Sequence, residues 1–215
     1  MVQFVIIRHG YSQFNKAGRF TGQMDIPLDD LGVQQAKLTA EYVVSHFTID
    51  EIYSSSLSRA IETAKPVADA LKLPIHLEDG LMEIYAGCWQ GLLIEDIKKQ
   101  YSKEFELWAT DVGLARCGDG ESTAELIERS KETFHKIAKE NEGKTVLIST
   151  HGGVVGAIQC EWLQVPLTEM KKLPHVANAS VTVADYDTQT RTAKFLQIGY
   201  CEHLKECATK PPLIL

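Results

Sequence analysis

Two histidine–glycine steps follow two apolar runs. Phe4-Val5-Ile6-Ile7 stops at Arg8-His9-Gly10, and Thr145-Val146-Leu147-Ile148-Ser149-Thr150 stops at His151-Gly152-Gly153. A short apolar run bounded by charge and glycine reads as a buried strand with an abrupt end. In an open α/β sheet, chemistry gathers just past the carboxyl ends of the strands. One site holding both histidines is therefore expected at one sheet edge. Arg8 comes with the first histidine. Arg59 lies about one helical turn beyond the Ser54-Ser55-Ser56 junction that follows a second strand. Glu83 falls in an unpatterned stretch after a third strand. Gly152 and Gly153 open a helix whose free N–H groups point at the same edge.

Such a set suits phosphoryl transfer. Arginines engage a phosphate in fork geometry. A neutral imidazole can attack phosphorus and carry the phosphoryl group. The second histidine, if protonated, adds positive charge where the transferring group needs it. A carboxylic acid can protonate the departing alkoxide, a contribution of roughly 10²–10⁴ in rate. Two histidines and Glu83 are also zinc-type donors. The neighbouring arginines would repel that cation, so neither a metal nor a cofactor is expected.

Any one of these residues has an ordinary reading. A lone histidine after a strand is more often structural, Arg59 alone could be a surface arginine, Glu83 a solvated acid and Asn15 a turn residue. Their coincidence carries the inference. His46, His76, His135, His175 and His203 are assigned structural roles, and Trp89, Trp108 and Trp162 are assigned to packing. Tyr85 either faces a substrate or packs in the core.

The elements that must position these groups follow from periodicity. Residues 11–29 read as a long functional loop. A helix capped by Asp29 or Asp30 follows, with Val33, Ala36, Ala40, Val43, Val44 and Phe47 on its stripe. The serines at 54–56 end a short strand and read as the cap of a second helix carrying Ala60, Ile61, Ala64, Val67, Ala68 and Leu71. Pro66 should kink or restart that helix. Pro74–Leu77 reads as a strand. Residues 80–121 are the least periodic, with weak helical signals at 91–101 and 102–110. Ser122-x-x-Glu125 is a capping box opening a long helix that Gly143 can end. The runs at 180–186 and 192–198 read as a hairpin at the sheet edge. The tail 207–215 reads as extended over the surface. The order predicts a three-layer α/β/α sandwich, a mostly parallel sheet with helices on both faces and an antiparallel edge.

Composition bounds the partners. The chain has 215 residues, 44% hydrophobic and 24% charged, without an obvious linker, so one domain over 1–215 is expected. Net charge is -7, with 29 acidic against 22 basic residues. Nucleic-acid and anionic-membrane binders usually carry a basic excess, so neither partner is expected. Five cysteines without CxxC spacing argue against a disulfide scaffold or a cysteine zinc site. No run approaches the roughly 18 apolar residues of a membrane span, and the amino terminus lacks a signal-peptide pattern. A cytoplasmic location is expected.

The motif blocks extend further. Phe4–Asn15 is followed by Thr21-Gly22-Gln23-x-Asp25-x-Pro27-Leu28 and Gly32-x-x-Gln35-Ala36. Then come Ser54-Ser55-x-x-x-Arg59-Ala60-x-x-Thr63-Ala64 and Leu81-x-Glu83-x-x-x-Gly87-x-Trp89-x-Gly91. Gly120-Glu121-Ser122 and Ser149–Gly153 complete the series. In this order, over most of residues 4–153, the chain resembles the histidine phosphatase superfamily in its phosphoglycerate-mutase-like branch. The resemblance implies His9 as a phosphohistidine nucleophile and Glu83 as general acid, then base for water. It implies that Arg8, Arg59 and His151 hold the phosphoryl group and that Asn15, Thr21 and Gly22 line the substrate loop. Gly152 is grouped with these substrate-binding positions. The chain departs at Gly156, where many relatives carry Arg, and at Gln90, where the block often has Glu. Both departures bear on substrate choice.

The expected activity is hydrolysis of a small phosphorylated metabolite. The alternative is a phosphoglycerate mutase using the same phosphohistidine, and a non-catalytic phospho-ligand sensor is a third reading. Resembling mutases grip a second anionic group with arginines after the general acid. Here 84–121, expected to cover the substrate, holds only Lys98, Lys99, Lys103 and Arg116 as cations. That favours hydrolysis.

Overall fold

A computed structural model describes residues 1–210 of the chain. Its centre is a six-stranded sheet in the order β3-β2-β4-β1-β5-β6. β1 (Val2–Arg8), β2 (Glu51–Ser54), β3 (Ile75–Leu77) and β4 (Thr145–Thr150) run parallel; β5 (Val181–Asp187) and β6 (Thr192–Tyr200) form the antiparallel edge. The expected sandwich and edge hairpin are both present.

Strand alternation explains the layers. Phe4, Ile6, Val146 and Ile148 enter one core, and Val5, Ile7 and Leu147 enter the other. All are buried, as a strand covered on both faces requires. The second core is closed by α2 (Asp30–His46) and α3 (Ser58–Leu71). The first is closed by α6 (Thr123–Glu140) and α7 (Gly152–Trp162). Phe134 of α6 lies edge-on to Phe4 at 5.2 Å and to Trp162 of α7 at 5.4 Å.

Several local expectations change. The 11–29 loop contains a short helix, α1 (Gln13–Ala17), because Ser12 and Asn15 form a reciprocal capping box. Asp29 caps α2, accepting from the Gly32 amide at 2.9 Å. Of the α2 stripe, Ala36, Ala40 and Val43 are buried, while Val33 and Val44 are exposed. The serines at 54–56 do not cap α3; Leu57 occupies that position without a capping side chain. Asp25, far off in sequence, takes over by accepting from the Ser58 amide (2.7 Å) and hydroxyl (2.8 Å). Nor does Pro66 restart α3, which continues to Leu71. The ring removes one backbone bond, while Ala64, Val67 and Ala68 remain anchored in the core.

Residues 84–121 are more ordered than their pattern suggests. They contain α4 (Ile94–Gln100), α5 (Ser102–Thr110) and short 3₁₀ turns. Trp89, Trp108 and Phe20 meet edge-on there, at 5.7–6.1 Å between ring centroids. The Ser122–Glu125 capping box opens α6, which ends before Gly143, at the Asn141 cap. Residues 202–207 form a 3₁₀ element against α2, so the expected extended tail at 207–215 begins after Cys207. Residues 208–210 have no regular structure, and 211–215 lie outside the described residues.

Phe134→Ala should cost about 3–5 kcal/mol in urea unfolding, because it opens a cavity among Phe4 and Trp162. Val33→Ala on the exposed face should stay within about 0.5 kcal/mol. A loss below about 1 kcal/mol for Phe134→Ala would contradict this packing.

Candidate active site

β1 and β4 are neighbours in parallel register, with Arg8 opposite Thr150. The next residue on each strand is a histidine, so the rings of His9 and His151 come to 5.1 Å between centroids. The turn after β1 is fixed from several sides. The His9 amide donates to the Thr150 carbonyl at 2.8 Å, and the Gly10 amide to the Thr63 hydroxyl at 2.9 Å. Asn178 Nδ2 donates to the His9 carbonyl at 3.0 Å. A side chain at residue 10 would strike the Gly32 carbonyl at 2.8 Å, so the turn needs glycine to pack against α2.

His9 is buried, and its Nδ1 lies 2.7 Å from the Gly10 carbonyl. A carbonyl only accepts, so the proton sits on Nδ1 and the lone pair on Nε2. Burial holds the ring well below the usual histidine pKa, reinforced by Arg59 and then Arg8. The ring is therefore neutral at neutral pH, with the Nε2 lone pair available. His151 is also held well below its usual pKa, by burial first and then by Arg59 and His9. The condition attached to the second histidine, that it be protonated, is thus disfavoured in the free protein. Ser55 Oγ lies 2.8 Å from His151 Nε2 and accepts from the Leu57 amide at 3.3 Å. Its hydroxyl has a proton to donate to Nε2, an arrangement that puts the ring proton on Nδ1.

The arginines are held by carbonyls. Arg8 Nη1 donates to Val176 O at 2.7 Å; Arg59 donates to Met24 O at 2.9 Å and Gly22 O at 2.7 Å. Burial lowers each guanidinium to about 10, so both remain charged. Arg8 Nε, Arg59 Nε and His151 Nδ1 are buried without a hydrogen-bond partner among the described residues. Buried donors of this kind call for an acceptor, and phosphoryl oxygens would supply it.

Glu83 is half-buried on the same cleft. Its carboxylate accepts from the Gly153 amide at 3.1 Å and 3.2 Å and from the Ile84 amide at 2.9 Å. The amino end of α7 therefore holds the acid rather than standing open to a ligand, which corrects the sequence expectation. A Cβ at residue 153 would collide with Glu83 Oε1. Gly152 does not line this cleft; it packs against the Arg8 guanidinium, with its Cβ position 3.2 Å from Cζ.

The cleft has a volume of about 90 Å³. Arg8, His9, Arg59 and Glu83 line it together with Asn15, Thr21 and Gly22, while His151 is fully buried beside His9 and is absent from the walls. Asn15 Oδ1 accepts from Ser12 at 3.0 Å, which leaves its Nδ2 donors for the cleft. Sequence reasoning missed Arg19, Phe20, Ile84 and Ile94 on the walls, and Ser55 behind His151. Ser55 stands inside a quoted block, and Arg19 and Phe20 directly precede Thr21. Ile84 and Ile94 carry no local signal. Gln90 accepts from the Gln23 amide at 2.7 Å and so braces the loop that holds Arg59. Tyr85 is exposed and absent from the cleft walls. Among the described residues, no group of three His, Cys, Asp or Glu side chains is placed to hold a metal.

Lowered histidine pKa values keep His9 and His151 neutral in the folded protein, whereas the unfolded chain takes up protons near 6.5. Their contribution to stability is complete above that pH and declines as the pH falls below it. Neither ring signal should show a midpoint near 6.5 in an NMR titration of the free enzyme. A His9 midpoint there would contradict the buried, cation-flanked geometry.

Residues 4–198 match the sequence profile of the histidine phosphatase superfamily, branch 1. Phosphoserine phosphatase 1 of Hydrogenobacter thermophilus is 34% identical over 169 residues, 79% of this chain and 80% of that protein. Phosphoglycerate mutase-like protein 4 of Arabidopsis thaliana is 31% identical over 185 residues, 84% of this chain and 78% of that one. The solved structure of Bacillus stearothermophilus YhfR superposes with a TM-score of 0.89 at 28% identity, covering 95% of this chain and all of that one. The fold, the ordered motifs and the profile match agree: this chain belongs to the histidine phosphatase superfamily.

Proposed function

We propose that the protein is a phosphomonoester hydrolase that works through a phosphohistidine at His9, without a metal. The observation that carries this reading is the tautomer of His9, which leaves the Nε2 lone pair free on a ring that shares its cleft with two buried guanidinium groups.

In the proposed reaction, Nε2 attacks phosphorus in line with the ester oxygen. The N–P bond forms as the P–O bond to the alcohol breaks. Glu83 gives its proton to the departing oxygen. Arg8 and Arg59 neutralise charge on the phosphoryl oxygens, and His151 Nδ1–H donates to one of them. A water then attacks the phosphohistidine, giving its proton to the Glu83 carboxylate. The N–P bond breaks, phosphate leaves, and His9 returns to its starting tautomer.

The cleft favours hydrolysis over a mutase reaction. Arg116, from the 84–121 segment, is turned to the Gly120 carbonyl and Glu125. Lys98 lies over the Phe105 ring, 5.7 Å from its centroid. Arg19 is the cation added to the catalytic pair on the cleft walls. Phosphoserine phosphatase is the name of one relative reported above, and a small phosphorylated metabolite of that size class suits the cleft. Among the described residues, no helix is long and apolar enough to cross a membrane. All five cysteines are free, which suits a cytoplasmic enzyme.

Quenching into alkaline detergent, which spares the acid-labile N–P bond, after mixing with a ³²P-labelled phosphomonoester should trap label on wild-type protein and none on His9→Ala. Retained label in that variant would overturn the assignment of His9. With 3-phosphoglycerate, free phosphate is the expected product, and formation of the 2-isomer would favour the mutase reading.

A further inference from the structure

Glu83 does not stand on a helix or a strand. It follows a 3₁₀ turn, Asp79–Leu81, and an extended Met82. Irregular backbone of this kind needs anchors from elsewhere to hold a side chain to the tolerance that catalysis requires.

The anchors are Arg129 of α6 and Glu121 just before it. Arg129 Nε donates to Glu121 Oε1 and Nη2 to Glu121 Oε2, both at 2.9 Å. This is a two-pronged guanidinium–carboxylate pair, with side chains only 25% and 14% exposed. The same guanidinium reaches the backbone before Glu83. Nη1 donates to the Gly80 carbonyl at 2.8 Å and the Met82 carbonyl at 2.9 Å, and Nη2 approaches the Glu83 carbonyl at 3.4 Å. Glu121 holds the backbone after Glu83. Its Oε2 accepts from the Tyr85 amide at 3.1 Å, and its own amide donates to the Tyr85 carbonyl at 2.7 Å.

We infer that Arg129 and Glu121 are positioning residues for the proton-transfer steps, a clamp that grips the chain on both sides of Glu83. This rests on the assignment of Glu83 as general acid and base. Neither clamp side chain lines the cleft. Their effect on the reaction therefore passes through the placement of the Glu83 carboxylate.

The consequence is a dependence on the leaving group. 4-Nitrophenolate departs readily without a proton, whereas phenolate needs one. In stopped-flow single turnovers, Arg129→Met should release nitrophenol from 4-nitrophenyl phosphate within about 3-fold of the wild-type rate. Release of phenol from phenyl phosphate should fall by roughly 10-fold or more. Glu83→Gln should show the same selectivity more strongly. In the Glu83→Gln background the added effect of Arg129→Met should vanish, because residues acting as one unit are not additive. Arg129→Lys keeps a cation but not the fork. It should repeat the pattern and replaces the Met variant if that one does not fold.

If Glu83→Gln leaves phenol release unchanged, the role of Glu83 itself fails. The clamp fails if Glu83→Gln shows the selectivity and the Arg129 variants do not. It fails also if those variants slow both esters equally or keep their full effect in the Glu83→Gln background.

Discussion

Two guanidinium groups are buried beside a neutral imidazole, and the site depends on keeping them there. Neither Arg8 nor Arg59 forms a salt bridge among the described residues. Backbone carbonyls of Val176, Gly22 and Met24 hold them instead. Burying an ion costs several kcal/mol after relaxation, and carbonyl dipoles repay part of it. The positive potential left over has two effects. It adds to burial, the larger cause, in holding His9 and His151 in their neutral forms. It also favours a phosphoryl dianion against the net charge of -7 on the chain.

The fold supplies the rigidity that this arrangement needs. Parallel pairing of β1 with β4 sets the two histidines side by side. The loop at 21–25 is less regular, yet it is tied at several points. Asp25 caps the helix that carries Arg59, and Gln90 holds the Gln23 amide. Gln23 Nε2 in turn donates to the Glu83 carbonyl at 3.0 Å. The 21–25 loop, Arg59 and Glu83 are thus one connected network, packed on the Trp89 and Trp108 core.

Much of this was legible in the residues. Strand ends at Arg8 and Thr150 announced themselves by apolar runs that stop at charge and glycine, and the ordered blocks brought in Arg59 and Glu83. What stayed hidden was set by contacts between distant segments. Nothing local marks Asp25 as the cap of α3, 33 residues away. Nothing local separates Arg129, with donors on three backbone carbonyls and a carboxylate, from an ordinary helix-surface arginine. The α7 amino terminus looked open to a ligand because sequence spacing does not show that Glu83 reaches it. Pro66 and the exposed Val33 and Val44 misled for a simpler reason: propensity and periodicity yield to tertiary packing when neighbouring core anchors are strong.

The central claim is that phosphorus passes from the ester to His9 and then to water. Each in-line displacement inverts the configuration at phosphorus, so two displacements restore it. The most direct test lets an acceptor alcohol take the place of water: the enzyme transfers the phosphoryl group of a phosphomonoester made chiral with ¹⁶O, ¹⁷O and ¹⁸O to that alcohol, and the configuration of the product ester is read by ³¹P NMR. Net retention is the predicted result. Inversion would mean that the acceptor standing in for water attacks the ester directly and that His9 never carries the phosphoryl group.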